Sequence, residues 1–279
     1  MFLNKTTCNE CHQEHDALEH KCPKCQSDNR QFDNLKLSKN ILVCPVPLQI
    51  ALFLVGSIGF QLIGFLVELI LLKISGLSAE DFAHSRYALL ITIISYMILI
   101  LIMSVLVIKQ YKSIGKSFVG KSVYLSALLG LVFIYIASTA YSMIISLLYE
   151  VKDNNNQEAL ENIISVYPIL SIIIFGVVGP ICEELTYRVG LFTFLRRWNR
   201  IGAYIVTILV FAFIHFDWFS FGNIEALINE LINIPSYIIA GLVLTYLYDN
   251  YGFASSTLAH IFNNLISVTI SIIMSLCLI

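Results

Sequence analysis

Glu183-Glu184-Leu185-Thr186-Tyr187-Arg188 sets two adjacent carboxylates and a guanidinium inside an apolar run, with residues 172–180 before it and 189–195 after it. In hydrocarbon each of those charges is expensive, so three together demand partners and a purpose. On a helix Glu184 and Arg188 stand four residues apart and pair along one face. Glu183 is turned about 100° from Glu184 by the 3.6-residue repeat, which leaves it free to face something else. The stretch predicts a membrane helix holding one neutralised ion pair and one spare carboxylate.

The rest of the chain agrees with a bilayer. Its 279 residues are 57% hydrophobic and 13% charged, where a soluble domain carries roughly 25% charged residues. The fold expected is an all-α polytopic membrane protein preceded by a small zinc-ribbon domain. The net charge of −2 says less than its distribution, because Lys and Arg are absent after Arg200. No nucleic-acid partner is expected from that pattern. Residues 1–40 are polar and the first apolar run is long and late. No cleavable leader is expected, and targeting falls to the first membrane helix.

Four of the seven cysteines form Cys8-Asn-Glu-Cys11 and Cys22-Pro-Lys-Cys25. Two such pairs in a short polar segment supply thiolates on two tight knuckles, the donor set of a tetrahedral structural zinc. A pair of disulfides is the alternative reading, which a reducing compartment disfavours. His12, His15 and His20 crowd the same segment as substitute ligands, yet the symmetry of the cysteine spacing favours the four thiolates. Residues 1–30 then form a ribbon stabilised by its metal, residues 31–44 a polar linker, and residues 45–279 the membrane domain. Cys44, Cys182 and Cys277 stand alone in or beside apolar runs.

Apolar runs at 50–72, 87–108, 123–149, 163–195, 201–216, 231–248 and 253–279 are measured against the roughly 20 residues that a spanning helix needs. Gln61 and Glu68 share a face of the first run, which reads as packing against neighbouring helices. The fourth run extends about 50 Å as one helix. Gly176, Gly179 and Pro180 in its middle predict a break or kink, and two pieces there make eight helices in place of seven. The polar loop 217–230 carries the interfacial aromatics Trp218, Phe219 and Phe221. Lys36, Lys39, Lys109, Lys112, Lys116, Lys121, Arg196, Arg197 and Arg200 fall on one side of a seven-helix alternation, and the opposite loop 150–161 is mostly acidic. The positive-inside rule places the N-terminus in the cytoplasm and the C-terminus outside a cell membrane.

Measured from the arginine cluster, Glu183 lies about 20 Å up its helix and His215 at a similar depth on the next, returning one. His260 and Asn264 are four apart and share a face of the last helix. Each alone is commonly a structural interhelical bond, and the charged trio alone is commonly a buried ion pair or part of an ion pathway. Together the Glu, two His and Asn supply a base, an orienting imidazole and two oxyanion donors, the parts of a hydrolytic site. Other intramembrane chemistries lack their motifs. No His is followed by Glu, so the HExxH zinc pair is missing. Ser57 lies far in sequence from both membrane histidines, and Asp217 and Asp249 sit at helix ends.

The double glutamate with Arg188, the pair Phe211 and His215, and the pair His260 and Asn264 together resemble the CPBP family (CAAX proteases and bacteriocin-processing enzymes, also called Abi). The resemblance covers about residues 160–279; the earlier helices look like a variable scaffold and the ribbon like an accessory domain that contacts a protein partner. It implies an intramembrane endopeptidase acting on a peptide or membrane-protein substrate. Glu183 and His215 would activate a water there, and His260 and Asn264 would stabilise the oxyanion, with Glu184 and Arg188 completing the motif. The residues permit a metalloprotease or a metal-free glutamate mechanism, and Asn264, a poor ligand and good donor, favours the latter. A non-catalytic scaffold or regulator of an envelope enzyme or peptide-immunity system is the alternative. An ion or proton transporter is another, although such folds more often show repeat symmetry.

Overall fold

The computed structural model describes residues 5–8, 10–16, 21–27, 42, 44–149, 152 and 154–277. Most of the expected linker, with Lys36 and Lys39, lies outside the described residues, as does His20. Strand β1 (Lys5–Thr7) pairs antiparallel with β2 (Glu14–Asp16), Thr6 opposite His15. The two cysteine knuckles repeat one hydrogen-bond pattern. Cys8 and Cys22 donate their N–H groups to Gln13 and Ser27, and His12 and Gln26 donate back to the Cys8 and Cys22 carbonyls. His12 and Gln26 both sit in the left-handed region, φ 54° and 60°, a conformation uncommon for such residues and imposed here by the tight turn.

The remainder is helical. In chain order come α1 (Val46–Ser75), the short α2 (Ala79–Ala83), α3 (Arg86–Leu106), the short α4 (Tyr111–Ser117) and α5 (Lys121–Ser146). Then follow α6 (Asn155–Val166), α7 (Pro168–Leu195), α8 (Arg200–Phe213), α9 (Ile224–Tyr251) and α10 (Phe253–Cys277). Six of these, α1, α3, α5, α7, α9 and α10, are long and apolar enough to cross a membrane. The protein is an all-α, multi-pass membrane protein. Helix α8 is apolar but only about 21 Å long. It still runs from one end of the domain to the other. Arg200 at its start meets Asp249 at the end of α9, and Asp217 beyond its far end meets Asn155 at the start of α6. Several helices begin where an Asn or Ser side chain accepts a first-turn N–H: Ser85 for α3, Asn154 for α6, Asn199 for α8 and Asn223 for α9.

Of the break or kink expected around Pro180, the break does not occur. Helix α7 runs continuously from Pro168, and the chain breaks instead at Tyr167. The helix widens into π-turns at Ile174–Val178 and Glu184–Phe192, which gives Pro180 room without severing the helix. The expected helix 201–216 ends early, so His215 lies on the turn after α8. The expected loop 217–230 is shorter than read, because α9 begins at Ile224. Glu230 is a buried clamp inside that helix, accepting the N–H groups of Asn155 and Asp217. Gln61 and Glu68 do share a face of α1, but it is the outward face. The helix packs through Gly64 and Val67 instead, with Gly64 close to Ser95 of α3.

Helices α1 and α7 approach very closely at two glycines. A Cβ at Gly56 would stand 1.8 Å from Thr186 Oγ1, and one at Gly190 would stand 2.9 Å from the backbone nitrogen of Phe53. Small residues at such contacts let membrane helices meet backbone to backbone. The contact seats the widened turn of α7, and with it the two glutamates, against the centre of the bundle. At the arginine end, Asp249 accepts from Arg196 at 2.6 Å, Arg200 at 2.8 Å and Tyr204 at 3.1 Å.

Candidate active site and metal centre

Glu184 begins the second π-turn of α7 and is completely buried. One oxygen lies 3.2 Å from Arg188 and 2.9 Å from His260 Nδ1, and the other accepts the hydroxyl of Ser256. Arg188 is equally buried. Its approach to Glu184 is too oblique for a hydrogen bond, and its guanidinium lies 4.4 Å over the Phe211 ring. The carboxylate and a cation–π contact thus compensate a charge that carries no hydrogen bonds among the described residues.

Glu183, turned from its neighbour by the helical repeat and free to face something else, reaches the same imidazole as Glu184. His260 donates through Nδ1 to Glu184, while Nε2 lies 3.6 Å from Glu183 Oε2. The other Glu183 oxygen, Oε1, accepts the Tyr96 hydroxyl at 3.4 Å. Glu183 remains the more open of the two, with 16% of its side chain exposed against none for Glu184.

His215 pairs with neither carboxylate. Its Nδ1 bonds the Phe211 carbonyl at 2.9 Å, and its ring stacks on Tyr237 at 4.4 Å. The Tyr237 hydroxyl lies 3.4 Å from Asn154 Oδ1, and the Asn154 amide donates to the His215 carbonyl. Phe211 links the parts, with its ring 5.2 Å from His215 and 5.9 Å from His260. Asn264 donates to the Phe175 carbonyl at 3.1 Å, a carbonyl within the first π-turn of α7. Its amide keeps a second N–H. Glu183, Glu184, Arg188, Phe211 and His260 therefore form one contact network, and His215 and Asn264 stand at its edges.

Tyr96, Tyr237, Ser256 and Asn154 were not expected from sequence. Ser256 carried a signal, because it precedes His260 by four residues and so shares its helical face. The tyrosines carried none, since aromatic residues on apolar helices are ordinary core.

The sulfur atoms of Cys8, Cys11, Cys22 and Cys25 lie within 4.8 Å of one another, and all four thiols are free. The pairs Cys8–Cys25 and Cys11–Cys22 are 3.5 and 3.4 Å apart, close to the roughly 3.8 Å that a tetrahedral ion with 2.3 Å bonds imposes. The donor set fits one ion. The Ser27 hydroxyl, 3.1 Å from Cys8 and 3.0 Å from Cys25, draws both thiols down, Cys8 to about 5, whereas burial and the neighbouring sulfurs push Cys11 up to about 12.

Residues 165–266 match the family model described as Type II CAAX prenyl endopeptidase Rce1-like, a CPBP family. Over that segment, a little more than a third of its length, the chain is similar to the CPBP family. The matched segment contains every membrane-domain residue of the expected site, from Glu183 to Asn264, and falls within the 160–279 read from the motifs. Among curated relatives, the UPF0177 protein YvdC of Lactococcus lactis subsp. lactis is 24% identical over 219 residues, 75% of this chain and 78% of that protein. An uncharacterized protein of Mycoplasma capricolum subsp. capricolum is 30% identical over 148 residues, half of this chain and 40% of that protein. No solved structure matches the chain.

Proposed function

We propose that this protein is a CPBP-type intramembrane endopeptidase that hydrolyses a peptide bond in a membrane-associated peptide or membrane-protein substrate. One observation carries the reading: two adjacent carboxylates straddle a single imidazole, and only one of them is pinned by a guanidinium. Two carboxylates against one guanidinium leave one negative charge uncompensated. A proton on His260 Nε2 balances it, with Nδ1–H given to Glu184 and Nε2–H facing Glu183.

In this reading Glu183 takes a proton from a water held between it and His215, and the water oxygen attacks the scissile carbonyl. The oxyanion accepts from His260 Nε2–H and the second Asn264 N–H. Glu183 then passes its proton to the leaving amine, so the base that activates the water becomes the acid that completes cleavage. Glu184, Arg188 and Ser256 hold His260 in orientation. The prenyl endopeptidases named by the matched family make lipid-modified peptides the first substrates to try. The test is incubation of the reconstituted protein with prenylated and unmodified peptide libraries, cleavage being read by mass spectrometry. Cleavage at a defined bond is expected. Its absence with every peptide class removes the endopeptidase reading in favour of a membrane scaffold.

The ribbon, residues 1–30, is read as a structural zinc site of Cys8, Cys11, Cys22 and Cys25 that docks a protein partner. Metal analysis of the full chain is expected to find one zinc, lost in Cys11→Ser, with the membrane helices still inserted because the metal's folding energy is local. Finding no stoichiometric zinc in the purified chain rejects this assignment. The N-terminus and the lysine-rich segment around α4 are read as cytoplasmic, because the basic residues gather at that end of the helices. A cysteine placed at position 155 is expected to react with an impermeant reagent from outside intact cells; reaction only after permeabilisation reverses the orientation.

A further inference from the structure

Tyr96 stands on α3, outside the matched segment 165–266, and its phenol lies 3.4 Å from Glu183 Oε1. A carboxylate oxygen offers no proton, so the hydroxyl is the donor. The ring has little freedom to turn away. Phe60 packs on it with centroids 4.6 Å apart, and Phe175 meets it edge-on at 6.1 Å. Phe175 is itself the residue whose carbonyl Asn264 grips. Gly179 lies beneath, where even a methyl group would sit 3.6 Å from the Tyr96 ring. Packing from two helices, α1 and α7, fixes where the hydroxyl stands before the carboxylate is considered.

That direction matters because the last torsion of a glutamate is soft and roughly two-fold, so an unanchored carboxylate exchanges its oxygens freely. We propose that Tyr96 is a positioning residue for Glu183: it occupies Oε1 and so dedicates Oε2, the oxygen facing His260, to proton transfer. The catalytic consequence rests on the endopeptidase reading, whereas the contact does not. A helix outside the matched segment thereby supplies part of the site, and the first helices do more than scaffold it.

Tyr96→Phe keeps the ring and its packing and removes only the hydroxyl. Infrared spectra of the protein in nanodiscs identify the Glu183 carboxylate band as the one lost in Glu183→Gln. That band is expected to shift in Tyr96→Phe, and turnover on a cleavable peptide to fall about 10- to 100-fold, the effect of a small misplacement of a catalytic group. KM should stay within about two-fold, because an interaction that matters at the transition state lowers kcat alone. Phe60→Leu, which loosens the ring but keeps the hydroxyl, should cost less turnover than Tyr96→Phe. An unmoved carboxylate band, a change confined to KM, or a larger loss in Phe60→Leu overturns the proposal. A shifted band in a protein that cleaves no peptide upholds the Tyr96 contact and removes the endopeptidase reading instead.

Discussion

Glu183→Gln is expected to lose at least about 100-fold in turnover, the range assigned to a positioned general base, while inserting and folding as the native protein does. The amide can still accept the Tyr96 hydroxyl on its oxygen, so the packing around the side chain survives. Its nitrogen donates toward a neutral His260 Nε2, 3.6 Å away in the native protein. The charge balance also improves, because Glu184 and Arg188 remain a matched pair once the spare carboxylate is gone. What disappears is the carboxylate that, in this account, takes the proton from water and returns it to the leaving amine. Normal thermal stability with turnover near background is the expected pair of measurements. Turnover within a few-fold of native would place the base elsewhere.

Glu184→Gln is expected to fail in the opposite way, through stability first. The Arg188 side chain is wholly enclosed and its guanidinium makes no hydrogen bond among the described residues, so Glu184 and the Phe211 face are its compensation. Removing one partner of a buried ion pair costs about 3–5 kcal/mol, because the other charge is left without relief. The same change loosens Ser256 and His260, which both bond that carboxylate. Unfolding in detergent should come at markedly lower temperature, and what folds should show a displaced His260. A double replacement, Glu184→Gln with Arg188→Met, should recover much of the lost stability but not activity, since no charge is then stranded. If Glu184→Gln melts with the native protein, the ion pair is not the anchor described.

Much of this arrangement was legible in the chain because the bilayer punishes charge. Seven apolar runs could be counted by length alone, and a double glutamate with Arg188 inside one of them had to be paired or used. The i,i+4 rule found Glu184–Arg188 and the shared face of His260 and Asn264. The helical repeat left open what Glu183 would face. An ideal 3.6-residue helix sends adjacent carboxylates in different directions, but the widened turn beginning at Glu184 and the reach of one imidazole between them bring both to His260. Pro180 read as a break or kink because the rule assumes a regular helix, and the π-turn before it relieves the clash that would otherwise sever the helix. Gln61 and Glu68 were misplaced because periodicity gives a shared face but not the side of the bundle it looks toward. Tyr96 and Tyr237 were invisible for a deeper reason. Their roles depend on which helices become neighbours, and nothing in the spacing of an apolar run states that.

The central claim, that Glu183 acts as a base toward water and not as a nucleophile toward the substrate, is tested most directly by a single turnover in ¹⁸O-labelled water. With protein in excess over a cleavable peptide, the account predicts one ¹⁸O in the new peptide carboxyl terminus and none in Glu183 when the protein is then digested and weighed. Label appearing in the Glu183 carboxylate would mean that it had formed an acyl intermediate, and the account would be wrong.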